Sequence, residues 1–201
     1  MKTISEFCTQ HDAYGEGRKW ALTHCTSMQE VWETAKPEWV IWVATCPGVL
    51  TDRELRLFAV WSARQVQHLM TDPRSINALD VAERHVHGQA TDEELSASWE
   101  AAKKAAWAAE RIVWEARAAW AAAKADFREA AWAARTAALD AARAAGDAAR
   151  YSAEDAAKEA ARAAACAAKA AARDAARDAA WDAAQAAQAE WLRQNAKPNF
   201  N

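Results

Sequence analysis

Residues 91 to 195 constrain the fold of this chain most. About half of them are alanine, no glycine interrupts them before Gly146, and no proline before Pro198. Alanine loses no side-chain entropy on entering a helix and is the strongest intrinsic helix former. This half is therefore expected to be helical almost throughout. Thr91-Asp92-Glu93-Glu94 reads as a capping box, with carboxylates at the positive end of the helix it opens. If unbroken to Gly146, that helix would run for about 54 residues, or roughly 80 Å at 1.5 Å per residue.

The large side chains in this stretch follow helical spacing. At about 100° per residue, Trp99, Trp107, Trp114, Trp120, Phe127, Trp132 and Leu139 fall within roughly 160° of arc. Glu100, Lys103, Glu110, Arg117, Lys124 and Arg128 lie opposite. So broad an apolar face needs a partner surface. The preferred partner is the rest of the chain. The alternative is an exposed protein-binding surface formed by Trp99, Trp107, Trp114, Trp120 and Trp132.

Gly146-Asp147 and Tyr151-Ser152 are the break signals, so a turn is expected near 146–152. A last helix is expected from 153 to 193, at roughly 60 Å. Its alanine pairs recur about every 3.75 residues, above the heptad value, which argues against a left-handed coiled coil. Small side chains at each contact allow close helix approach. This helix is expected to pack back on the Trp face of the preceding one, as an antiparallel hairpin, leaving 196–201 as a flexible tail.

Residues 1 to 90 read as a separate Trp-rich domain of five or six short helices. Thr3 or Ser5 caps a helix through Gln10. Ser27 with Glu30, and Thr51 with Glu54, form capping boxes. Pro37 stops one helix and Pro73 starts another. The run Glu38-Trp39-Val40-Ile41-Trp42-Val43-Ala44 would also suit a buried strand, but it has no second strand to pair with and is expected to be helical. The expected core is Trp20, Trp32, Trp39, Trp42, Leu57, Phe58 and Trp61. The whole chain is thus expected to be all-α.

Twenty-five basic and 28 acidic residues are interleaved, for a net charge of −3. Nucleic-acid binding normally shows a basic patch, so it is not expected. Four cysteines without a CxxC pair fit free thiols in a reducing compartment. No apolar leader or membrane span is evident, so a cytoplasmic protein is expected.

Few residues suggest chemistry. Cys8-x-x-His11 followed by His24-Cys25 carries four ligands of the zinc type. Adjacent His24 and Cys25 on a helix are poor ligand geometry, and buried thiols with ordinary polar histidines are the preferred reading. His85 and His87 stand two apart and do not share a helix face. Asp52, Glu54, Asp92, Glu93 and Glu94 sit at helix starts, where capping accounts for them. Cys46 has no assignable base. Neither a nucleophile elbow nor a phosphate loop occurs. No enzyme activity, metal or cofactor is expected.

Cys8, Asp12, Glu16-Gly17 and Trp20-Ala21, then Val31-Trp32 and Trp39-Val40-Ile41-Trp42-Val43-Ala44, form a pattern over roughly residues 5 to 65. In these residues the chain resembles a group of bacterial and phage immunity proteins, the immunity-protein-five-like group. It departs from that group's pattern at Ala13-Tyr14, where a second cysteine is missing. The resemblance implies an all-helical protein with an Ala/Trp/Asp/Arg-rich tail and a toxin-neutralising role, and carries over no catalytic motif. The expected function is a non-enzymatic protein-binding module of the immunity or anti-toxin type. Its partner would be a protein, either a toxin or a host factor, or a second copy of itself. The alternative is a helical scaffold or oligomerisation protein.

Overall fold

The computed structural model describes residues 2–122, 136–137, 139–145, 153–172 and 176–200, with the backbone alone at 109 and along 112–122. It is all-helical, without a strand among the described residues. The helices are α1 (Ile4–Gln10), α2 (Glu16–His24), α3 (Met28–Thr34), α4 (Pro37–Ala44) and α5 (Asp52–Gln65). After a 3-10 turn at Gln67–Leu69 come α6 (Pro73–Val86), α7 (Asp92–Ala122), α8 (Ala153–Ala171) and α9 (Arg177–Asn195). Residues 139–145 are also helical.

Local chemistry sets most of these boundaries. Thr3 and Thr51 make complete capping boxes with Glu6 and Glu54. At Thr91 the box is also reciprocal: its Oγ1 accepts from the Glu94 N–H (3.2 Å), and its own N–H donates to the Glu94 carboxylate (2.8 Å). Ser27 caps α3 through the Glu30 N–H, but the Glu30 carboxylate turns to Thr26 instead, taking its N–H at 2.7 Å and its Oγ1 at 3.0 Å. Pro37 and Pro73 occupy the first turns of α4 and α6. The apolar run in α4 is helical, with Val40 and Ala44 fully buried.

Two buried clusters hold the chain together, and each crosses the boundary expected near residue 90. The first joins residues of α1 through α5 to Ala153, Ala157 and Ala161 of α8, Ala189 and Leu192 of α9, and Phe200. The second joins Ala59 and Ala63 of α5, Ala78 and Leu79 of α6, and Ala102 of α7 to Ala141, Ala144 and a second row on α8 (Ala156, Ala160, Ala164 and Ala167). α8 thus lies between the clusters and gives one alanine row to each. Alanine on both α5 and α8 permits close approach there, though the hydrophobic gain per residue is smaller than for leucine.

One expectation about the alanine half needs correction. The helix expected over 153–193 is two helices: α8 ends at Ala171, α9 starts at Arg177, and α9 runs back along α8. Lys169 Nζ meets Asp178 Oδ1 at 3.0 Å, and the buried Gln188 side chain donates to the Ala161 carbonyl at 2.9 Å. Neither glycine nor proline marks this reversal; tertiary burial of the Leu192 face overrides alanine propensity. Among the described residues α8 packs chiefly on α5 and α9, and α7 packs chiefly on α6. After α9, residues 199 and 200 make contacts with the N-terminal part of the chain. The Asn199 N–H donates to the Val49 carbonyl (2.8 Å), and the Lys2 N–H to the Phe200 carbonyl (3.0 Å). The buried Phe200 ring meets Phe7 and Trp32 at 6.0 and 6.4 Å between centroids. The turn expected at 146–152 lies outside the described residues.

The expected aromatic core is realised in part. Trp32 and Phe58 are buried; Trp20, Trp39, Leu57 and Trp61 are half-buried; Trp42 is 40% exposed. The exposure of Trp42 matters for the site below.

Candidate functional site

α1 to α4 enclose a cleft of about 300 Å³. Its floor is apolar, formed by buried residues such as Phe7, Ala21, Met28, Val31 and Val43. Its walls are aromatic. Trp20 on α2 and Trp39 on α4 lie 5.4 Å apart at 48°, and Trp42 meets Phe7 edge-on at 6.4 Å. Gly17 brings Trp39 close to α2: a Cβ at this position would stand 3.4 Å from the indole, so the ring lies directly on the helix backbone.

The rim is the turn between α1 and α2. Asp12 has φ 51° and Gly15 φ 83°. The left-handed region is open to glycine and tolerated by Asp, whose short side chain can bond locally. Here the Tyr14 hydroxyl, on a residue 73% exposed, lies 3.3 Å from Asp12 Oδ1 and donates to it. Asp12, Tyr14 and Arg18 all line the cleft. Arg18 is half-buried, and no acceptor among the described residues pairs with it. A second cation, Lys36 Nζ, lies 5.0 Å from the Trp39 ring centroid.

The residues of zinc type do not converge. Among the described residues no group of three or more His, Cys, Asp or Glu is placed to hold a metal ion. Cys8 is buried in the first cluster, and the His11 ring packs against Phe7 at 4.5 Å. His24 stacks on Trp20 at 5.5 Å, with Nδ1 2.9 Å from the Trp20 carbonyl, and Cys25 Sγ lies 3.7 Å from Thr34 Oγ1. Each candidate ligand thus has a local partner. Cys46 is buried, and burial pushes its thiol up to about 12, so at neutral pH it is a thiol and not a nucleophile. His85 Nε2 pairs with Asp92 Oδ1 at 2.8 Å, and His87 is exposed. Glu54 serves its cap and accepts from the Lys197 N–H at 2.9 Å.

The Trp stripe is only partly within the described side chains. Trp99 is half-buried against the second cluster, and Trp107 is 61% exposed. Lys103 Nζ lies 4.8 Å from the Trp99 ring centroid and 5.1 Å from that of Trp107. The side chains of Trp114 and Trp120, and all of Trp132, lie outside the described residues. The structure therefore brings together Trp20, Trp39 and Trp42, which read from sequence as core, with Asp12, which entered only through the resemblance, and with Tyr14 and Arg18, which carried no site reading. A local hint was the pair Gly15 and Gly17 just before Arg18-Lys19-Trp20.

The chain matches no family model, no curated protein and no solved structure. None of the described helices is long and apolar enough to cross a membrane.

Proposed function

We propose that this chain is a non-enzymatic protein-binding module whose recognition site is the α1–α4 cleft, and that its role is of the immunity or anti-toxin type. The observation that carries this is an accessible concave surface built from Trp, Tyr and Arg, with Trp42 and Tyr14 open to solvent. These three residue types dominate interface hot spots, because they combine large apolar area with a polar handle. Among the described residues the Cys46 thiol is buried and protonated, and His11, His24 and His85 are each engaged by a local partner. Nine of the residues that carry the immunity-protein resemblance line this cleft: Cys8, Asp12, Gly17, Trp20, Ala21, Val31, Trp39, Trp42 and Val43. That supports the toxin-neutralising version of the reading. Exposed Trp107 favours a second reading, self-association along α7, but its ring is already engaged by Lys103.

The test is photo-crosslinking in the source cell with a photoreactive phenylalanine in place of Tyr14. The expected result is one discrete heterologous protein adduct, absent when the same group replaces Trp107. Adducts only at position 107, or only between copies of this chain, would contradict the reading.

A further inference from the structure

We propose that the α1–α4 cleft takes a single aromatic side chain of the partner protein that stands next to a carboxylate. This rests on the reading of the cleft as a protein-recognition site and names the chemistry it selects.

Arg18 is half-buried on the wall of an apolar cleft, and no acceptor among the described residues pairs with its guanidinium. The neighbouring Cys8 thiol does not serve as an anion, because burial raises its titration above the ordinary thiol value despite the pull of Arg18. A carboxylate suits Arg18 best, since it accepts from the guanidinium fork in a bidentate, charge-assisted pair. Lys36 adds positive charge beside Trp39. The one lining carboxylate, Asp12, already accepts from Tyr14. It would repel an incoming acid at its own end of the cleft, so the acid is directed toward Arg18.

The apolar part selects the other half of the ligand. Trp20, Trp39 and Trp42 line the cleft with aromatic surface, which suits an aromatic guest in offset or edge-on contact. The volume, about 300 Å³, is at the lower end for ligand pockets and suits one ring rather than a run of residues. The rim is preformed by left-handed backbone at Asp12 and Gly15, which lowers the ordering cost of binding.

The test uses the full chain and three blocked tripeptides: phenylalanine between two glutamates, phenylalanine between two lysines, and alanine between two glutamates. Binding is followed by NMR at the tryptophan indole N–H signals. The acidic phenylalanine peptide is expected to shift the Trp39 and Trp42 signals saturably, and the other two to bind at least about tenfold more weakly. Arg18→Gln is expected to weaken the acidic peptide about tenfold or more and to leave the unfolding midpoint unchanged, since Arg18 holds no acceptor among the described residues. Four results would each overturn the inference: equal binding of the acidic and basic peptides, an unaltered affinity in R18Q, no saturable shift at millimolar peptide, or tighter binding of free phenylacetate than of the acidic peptide. If selectivity fails while the position-14 adduct still forms, the ligand chemistry is wrong and the protein-binding reading stands. If selectivity holds and no adduct forms, the recognition chemistry stands and the protein partner falls.

Discussion

Replacing Phe58 by alanine is expected to lower the stability of this protein by about 3–5 kcal/mol, the usual cost of deleting a fully buried ring. Phe58 is 0% exposed and lies in the first cluster, 5.6 Å from the Trp191 ring at 32°. Its loss removes transfer energy and leaves a cavity that helices on both sides can close only in part. Against a typical total of about 5–15 kcal/mol, the change is a large share. In a chain of this size it corresponds to a fall in Tm of roughly 6–20 °C. Urea unfolding followed by tryptophan fluorescence measures it. A loss below about 1 kcal/mol would mean that the α5–α9 packing described above is wrong.

Leu192→Ala tests the same core from the other end of the sequence, and about 2–5 kcal/mol is expected. Leu192 is 0% exposed on α9, yet its cluster is made mostly of residues before position 60. Arg193 beside it donates from Nε to the Trp32 carbonyl (3.0 Å) and from Nη2 to the Ala35 carbonyl (2.7 Å). These accept at the end of α3, where helix carbonyls lack internal partners. The C-terminal helix thereby closes the N-terminal bundle that carries the cleft. The expected signature is one cooperative transition shifted as a whole, since the two segments share a core. Two separable transitions, with only one moved by L192A, would show that the alanine half folds independently.

Much of the scaffold was legible because its signals are local. The boxes at Thr51 and Thr91 and the prolines at 37 and 73 announce helix starts through hydrogen bonds and sterics that span a few residues. Three features were not legible. The reversal after α8 has no breaker residue, and it follows from Leu192, Ala196 and Phe200 finding burial among α1 to α5. The docked C terminus depends on backbone bonds to Val49 and Lys2, which no residue pattern encodes. The cleft depends on which tryptophans stay open. Periodicity marks Trp42 as apolar but cannot say that α1 and α2 leave it at a rim. Arg18 likewise looks like any charged helix residue until it is seen on the cleft wall with no acceptor among the described residues.

The bundle gives the cleft its rigidity. Trp39 and Trp42 project from a helix whose Val40, Val43 and Ala44 are buried, and Trp20 is held by His24 and Trp39. A site on packed helices loses little entropy when occupied. The most direct measurement of the central claim is the affinity of the partner recovered through position 14, taken by calorimetry for Trp42→Ala beside Trp107→Ala. Trp42→Ala is expected to cost about 2 kcal/mol or more, as an interface hot spot does, and Trp107→Ala to change affinity by less than about 0.5 kcal/mol. The opposite order would contradict the account and move recognition from the α1–α4 cleft to the α7 stripe.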